Sequence, residues 1–159
     1  MELIIRPLRE EELDLLKDFL YEAIFLPAGV APPDRSILAR PELALYYEGF
    51  GESRADQALV AEADGCVIGA AWSRIMNDYG HVDDETPSLA MALYREYRGQ
   101  GIGTRLLKAL LAELAGRGFR RVSLSVQKEN YAVRLYRAVG FRTIRETEEE
   151  YIMVCDLQS

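Results

Sequence analysis

The spacing of apolar residues changes repeatedly along this 159-residue chain, and each change of period predicts an element. Leu3 to Leu8 is a short apolar run closed by Pro7, a first strand. Leu13, Leu16, Leu20 and Ile24 then recur at helical spacing behind Glu10, Glu11 and Glu12. Negative charge suits a helix N-terminus, so a helix is expected from about Glu10 to Phe25. Residues 26–34 are rich in proline and glycine and form a loop. Asp34 can cap a second helix over Arg35 to Tyr47, interrupted near Pro41. The aromatics at its end, Tyr46, Tyr47 and Phe50, either pack over the core or wall a substrate pocket.

Two β-like runs, Gln57 to Ala63 and Cys66 to Met76, flank Asp64-Gly65, a strong two-residue hairpin signal. Trp72 in the second run reads as core. A polar loop from Asn77 to Pro87 carries Tyr79, His81, Asp83, Asp84 and Glu85. Leu89 to Tyr94 is apolar without interruption, as in a strand covered on both faces. Ile102, Leu106, Leu107, Leu110, Leu111 and Leu114 return to helical spacing, ending near Arg117 at Gly116-Arg-Gly118. Val122 to Val126 alternates, with Ser123 and Ser125 on one side. A short helix over Asn130 to Val139 stops at Gly140. Phe141 to Arg145 and Glu150 to Leu157 are two final strands joined by the acidic turn Glu146 to Glu149. The order β-α-α-β-β-β-α-β-α-β-β describes an α/β domain of mixed strands over residues 1–159, without internal repeats or low-complexity segments.

Composition narrows the functional classes. Charged residues at 28% and hydrophobic ones at 49% are ordinary for a globular protein. A net charge of −7 argues against a nucleic-acid surface and an anionic membrane partner, and is compatible with a cationic substrate such as an amine. Two cysteines, Cys66 and Cys155, make no disulfide framework or CxxC metal pattern, and both are expected as buried free thiols. No signal-like segment opens the chain and no apolar run approaches about 18 residues, so a cytoplasmic location is expected.

Chemistry concentrates between the uninterrupted strand and the leucine-rich helix. Gly99, Gly101 and Gly103 leave backbone N–H groups uncovered by side chains, at a helix N-terminus whose dipole favours an anion. Arg98 adds positive charge. The arrangement reads as a phosphate or pyrophosphate cradle. A Walker A loop is excluded, because Thr104-Arg105 follows the last glycine, and G-x-G-x-x-G fails in both frames at Thr104 and Leu106. Arg98-Gly-Gln-Gly-Ile-Gly103 fits R-x-x-G-x-G, which resembles the acetyl-coenzyme-A loop of the GCN5-related N-acetyltransferases, the GNAT family. About thirty residues on, Tyr136, Gly140 and Phe141 fall in register with that family's second signature, N-x-x-A-x-x-L-Y-x-x-x-G-F, with Asn130 one residue nearer the tyrosine than the pattern's asparagine.

The resemblance spans nearly the whole chain. It implies the GNAT α/β fold, with a mixed sheet of six to seven strands and about four helices, and acetyl transfer from acetyl-CoA to an amine in a ternary complex without a metal. The central strand and the strand after the glycine helix are then expected to splay at a bulge and open a slot for pantetheine. Main-chain groups of Met91, Ala92 and Leu93 would hold the pantetheine amides. N–H groups of Gly99, Gln100, Gly101, Ile102, Gly103 and Thr104, with Arg98, would hold the pyrophosphate. Asn130 would reach the pantetheine arm, and Tyr136 would protonate the leaving thiolate.

A general base is harder to place. Some relatives carry a glutamate on the strand before the second signature, where this chain has Ser125. The remaining candidates are Glu85, Asp83 and Asp84, acting directly or through water, with His81 the one histidine. These carboxylates can equally form a solvated loop or attract a cationic amine. Arg95 stands where many relatives have proline. A non-catalytic acetyl-CoA sensor on the same fold is the alternative that the missing glutamate leaves open. Neither the amine nor the oligomeric state, a homodimer included, is legible.

Overall fold

A computed structural model describes residues 1–157. Seven strands form one mixed sheet: β1 (Leu3–Pro7), β2 (Gln57–Ala63), β3 (Cys66–Arg74), β4 (Ser88–Leu93), β5 (Arg121–Gln127), β6 (Arg142–Glu146) and β7 (Glu150–Asp156). Their spatial order is β1-β2-β3-β4-β5-β7-β6, all neighbours antiparallel except β4 and β5, which run parallel. The helices are α1 (Leu15–Ala23), α2 (Pro41–Ala44), α3 (Ile102–Gly116) and α4 (Ala132–Val139). Among the described residues no helix is long and apolar enough to cross a membrane.

Alternation along the strands sends apolar side chains to two separate cores, one on each face. Leu59, Ala61, Leu89, Leu93, Val122, Leu124 and Met153 meet Leu106, Leu107, Leu110 and Leu114 of α3 on the first face. Val60, Ala70, Trp72 and Ala92 meet Leu16, Phe19 and Leu20 of α1 on the second, with Tyr46, Tyr47 and Phe50 packed against the same cluster. Trp72 is fully buried there, and its indole N–H donates to the Tyr46 carbonyl at 2.9 Å.

Several local expectations are refined. The first helix starts late: Glu10–Glu12 is a separate 3-10 turn, in which the Glu12 carboxylate accepts from the Arg9 N–H and from the Arg6 guanidinium. The second helix breaks into a 3-10 turn, Arg35–Ala39, and the single turn α2, because Arg40 before Pro41 is held extended. Asp64 and Gly65 both take positive φ, as the tight β2–β3 turn requires. Cys155 is buried, but Cys66 is exposed, since it opens β3 beside that turn. The bulge expected in the central strand is absent: β3 and β4 pair without interruption, and the register shifts fall at Ala61/Glu62 and Thr143/Arg145.

Candidate active site

β4 and β5 part almost as soon as they meet. Their register contains one pair, Ser88 with Ser123, and beyond it the facing edges have no strand partner. The 77–87 loop fastens the two strands at that junction. Ser88 Oγ donates to Asp78 Oδ1 at 2.9 Å, and Ser123 Oγ donates to the Gly80 carbonyl at 2.7 Å. Gly80 lies so close to β5 that a Cβ there would sit 3.0 Å from the Leu124 carbonyl carbon and the Ser125 nitrogen.

The parted strands open a groove of about 1190 Å³ that passes through the sheet. Met91, Leu135 and Tyr136 line it from the α3–α4 face, whereas Ala92, Leu43 and Tyr46 line it from the α1–α2 face. One ligand reaching in along α3 and a second arriving past α2 would therefore meet in the middle of the sheet.

On the α3–α4 side the glycine turn presents free donors. Among the described residues the N–H groups of Gly99 to Thr104 donate to no protein acceptor, and the first bond of α3 runs from the Arg105 N–H to the Gly101 carbonyl. Gly99 and Gly101 take φ of +74° and +83°, and the space where each would carry a Cβ is open. Six unpaired amides at the start of a fifteen-residue helix are the donor set an anion such as a pyrophosphate requires. Arg98, Gly99, Gly101, Gly103 and Thr104 line the groove. Ile102 instead turns its side chain into the core, and Gln100 Nε2 donates to the Glu96 carbonyl. Gly103 has a packing role as well, because its missing Cβ would come 3.2 Å from Leu135. The Arg98 guanidinium donates to the Leu93 carbonyl at 3.0 Å and pairs with Glu22 at 3.6 Å.

Asn130 and Tyr136 line the same side. The Asn130 side-chain oxygen accepts from the Ala132 N–H, fixing the start of α4 and leaving its amide nitrogen to donate. Tyr136 is held edge-on to Phe141, makes no hydrogen bond among the described residues, and is pushed up to about 12 by burial.

The expected acid–base loop lies elsewhere. Met91, Ala92 and Leu93 line the groove, but Glu85, Asp83 and Asp84 do not. Glu85 is exposed, its N–H bonded to Asp83. The Asp83 carboxylate is held by Arg121 at 2.7 Å, which with Thr86 lowers it to about 2. His81 bonds the Met76 carbonyl and stands 3.4 Å from the exposed Asp84.

The carboxylate that does face the groove is Glu150, at the start of β7 opposite Gln127. It shares a strand face with Ile152, the face turned towards α2. Burial, and then Glu149, pushes its pKa up. Near it stands Tyr46, whose hydroxyl donates to Asp78 Oδ2 at 2.8 Å. Burial, then Asp78, and more weakly Glu150 and Tyr79, push the Tyr46 hydroxyl far above its usual range. Nothing in the spacing of the chain singles these residues out. Glu150 ends a run of acidic residues, and only the β5–β7 register brings it to the groove.

The profile of the acetyltransferase (GNAT) family matches residues 20–141. An N-alpha-acetyltransferase of Sulfurisphaera tokodaii is 30% identical over 138 residues, which cover 76% of this chain and 82% of that protein. “Probable N-acetyltransferase camello” of Xenopus laevis is 34% identical over 84 residues, 52% of this chain but 37% of the relative, so the match spans well under half of that protein's length. A GNAT-superfamily phosphinothricin acetyltransferase of Sinorhizobium meliloti, solved with acetyl-CoA, shares the fold at a TM-score of 0.68 and 20% identity, covering 99% of this chain and 90% of the other.

Proposed function

This chain belongs to the acetyltransferase (GNAT) family, and from that premise we propose that it is an N-acetyltransferase that moves the acetyl group of acetyl-CoA to a primary amine by direct attack in a ternary complex. The observation that carries this reading is the groove through the sheet. It joins an anion cradle and a buried tyrosine on one face to a half-buried carboxylate on the other.

The residues present suit coenzyme A. The unpaired amides of Gly99 to Thr104 would take the pyrophosphate, and the free edge of β4 at Met91, Ala92 and Leu93 would pair with the pantetheine amides, with Asn130 donating beside it. Glu150 takes the proton an ammonium must lose before its nitrogen attacks, and a raised pKa makes that carboxylate a better base near neutrality. As the C–N bond forms and the C–S bond breaks, Tyr136 gives its hydroxyl proton to the departing sulfur. A hydroxyl at about 12 against a thiol near roughly 8.5 makes that transfer about 5 kcal/mol uphill. Burial beside Tyr136 would raise the proton affinity of the thiolate as well, which narrows the gap.

Glu150 supports the catalytic reading over the sensor reading, because it supplies the base that Ser125 cannot. The test is amine-dependent release of free thiol from acetyl-CoA across a panel of primary amines. Release that depends on both substrates and is lost in Glu150→Gln supports transfer, and binding of acetyl-CoA without release for any amine favours the sensor.

A further inference from the structure

Resting on the acetyl-transfer reading, we propose that the acceptor is a primary amine on an apolar arm, with no carboxylate on the carbon that bears the nitrogen, selected by the Ser88–Asp78–Tyr46 chain together with Glu150.

Hydrogen-bond polarity on the α1–α2 side carries the argument. Ser88 Oγ donates to one oxygen of Asp78, and the Tyr46 hydroxyl donates its only proton to the other. Towards the groove, the Tyr46 oxygen can therefore only accept. Glu150 nearby also accepts in its ionised form. Two acceptors suit an ammonium or amine N–H, and the donors that line the same side, Ser125 and Gln127 on the strand face of Glu150 and the Tyr79 hydroxyl, are all neutral.

Charge points the same way. Three cations line the groove, Arg95 and Arg98 from the turn after β4 and Arg134 from α4, and none comes from the Tyr46–Glu150 region. Arg98 is already engaged by the Leu93 carbonyl and Glu22. Arg74 behind α2 is occupied by Asp56 and the Leu45 and Glu48 carbonyls, and Lys128 and Arg137 lie over Tyr151 on the opposite face of the sheet. An α-carboxylate would find no cation lining this side and would face Glu150 and Asp78 in a half-buried setting, where like charges repel several times more strongly than in water. Leu43 and Tyr79 complete the wall and suit an uncharged arm. Rejection of the carboxylate, more than attraction of the amine, sets the selectivity.

Phenethylamine and L-phenylalanine differ only in that carboxylate. Acetyl-CoA is first titrated into the protein by calorimetry, and each amine is then titrated into the CoA-saturated protein. Phenethylamine is expected to bind about tenfold tighter or more, and Glu150→Gln to narrow that ratio to about threefold or less. Equal affinities, tighter binding of phenylalanine, or no binding of phenethylamine at millimolar concentration would overturn the inference while leaving acetyl-CoA binding intact. Failure of the first titration would instead overturn the acetyl-transfer reading beneath it.

Discussion

Tyr136 and Glu150 line one groove from opposite faces of the same sheet, the tyrosine from α4 and the glutamate from the first residue of β7. On the proposed acetyl-transfer reading, that placement puts a carboxylate on the amine side and a hydroxyl on the thiol side. Tyr136→Phe removes the donated proton and preserves the ring against Phe141. Turnover is expected to fall at least about tenfold, with acetyl-CoA affinity nearly unchanged in a parallel titration. Unchanged turnover would take Tyr136 out of the mechanism.

Glu150 titrates above the ordinary carboxylate range because burial penalises its charge. Only its ionised form can accept a proton, so kcat/KM should rise with pH through that elevated pKa. Glu150→Gln should flatten this limb and lower turnover by about 10²-fold or more. A wild-type profile retained in the variant would assign the limb to another group.

Glu12 behaves in the opposite sense. Its hydrogen bonds from the Arg6 guanidinium, at 2.8 and 2.9 Å, lower its pKa from 4.5 to about 2. A carboxylate depressed in the folded state stabilises fully above its unfolded pKa and loses that contribution as pH falls through the folded one. Glu12→Gln should cost about 1–2 kcal/mol at pH 7. In urea unfolding the gap to wild type should close between pH 4.5 and 2.

Two glycine-to-alanine changes should have opposite signs. At Gly80 the new methyl would press on the Leu124 and Ser125 backbone at 3.0 Å, so Gly80→Ala should destabilise by about 1–3 kcal/mol. At Gly116, exposed in the last turn of α3 with open space around it, Gly116→Ala should stabilise by about 0.5–1 kcal/mol. Urea midpoints for the two variants check both.

The sequence of strands and helices along the chain and the glycine turn were legible because each element rests on contiguous residues. Leu89 to Leu93 announces a covered strand by composition, and Gly99 to Gly103 announces free amides by spacing. The amine side was not legible, because contacts between distant segments build it. Tyr46 and Asp78 are 32 residues apart and meet through the fold of the 77–87 loop. That same loop ties Asp83 to Arg121 and leaves Glu85 exposed, so carboxylates adjacent to β4 in sequence do not face the slot. Glu150 needed the β5–β7 register, which no local pattern encodes.

Binding of acetyl-CoA at the Gly99–Thr104 amides is the claim on which the rest depends, and thermal unfolding with acetyl-CoA, CoA, NAD and ATP tests it most directly. Ligand at a hundredfold its dissociation constant adds about 2.7 kcal/mol, a rise on the order of 5–10 °C for a domain of this size. The expected result is that rise with acetyl-CoA and CoA alone, abolished in Gly101→Asp, which adds bulk and negative charge where φ is +83°. No rise with either coenzyme, or an equal rise in the Gly101→Asp protein, would contradict it.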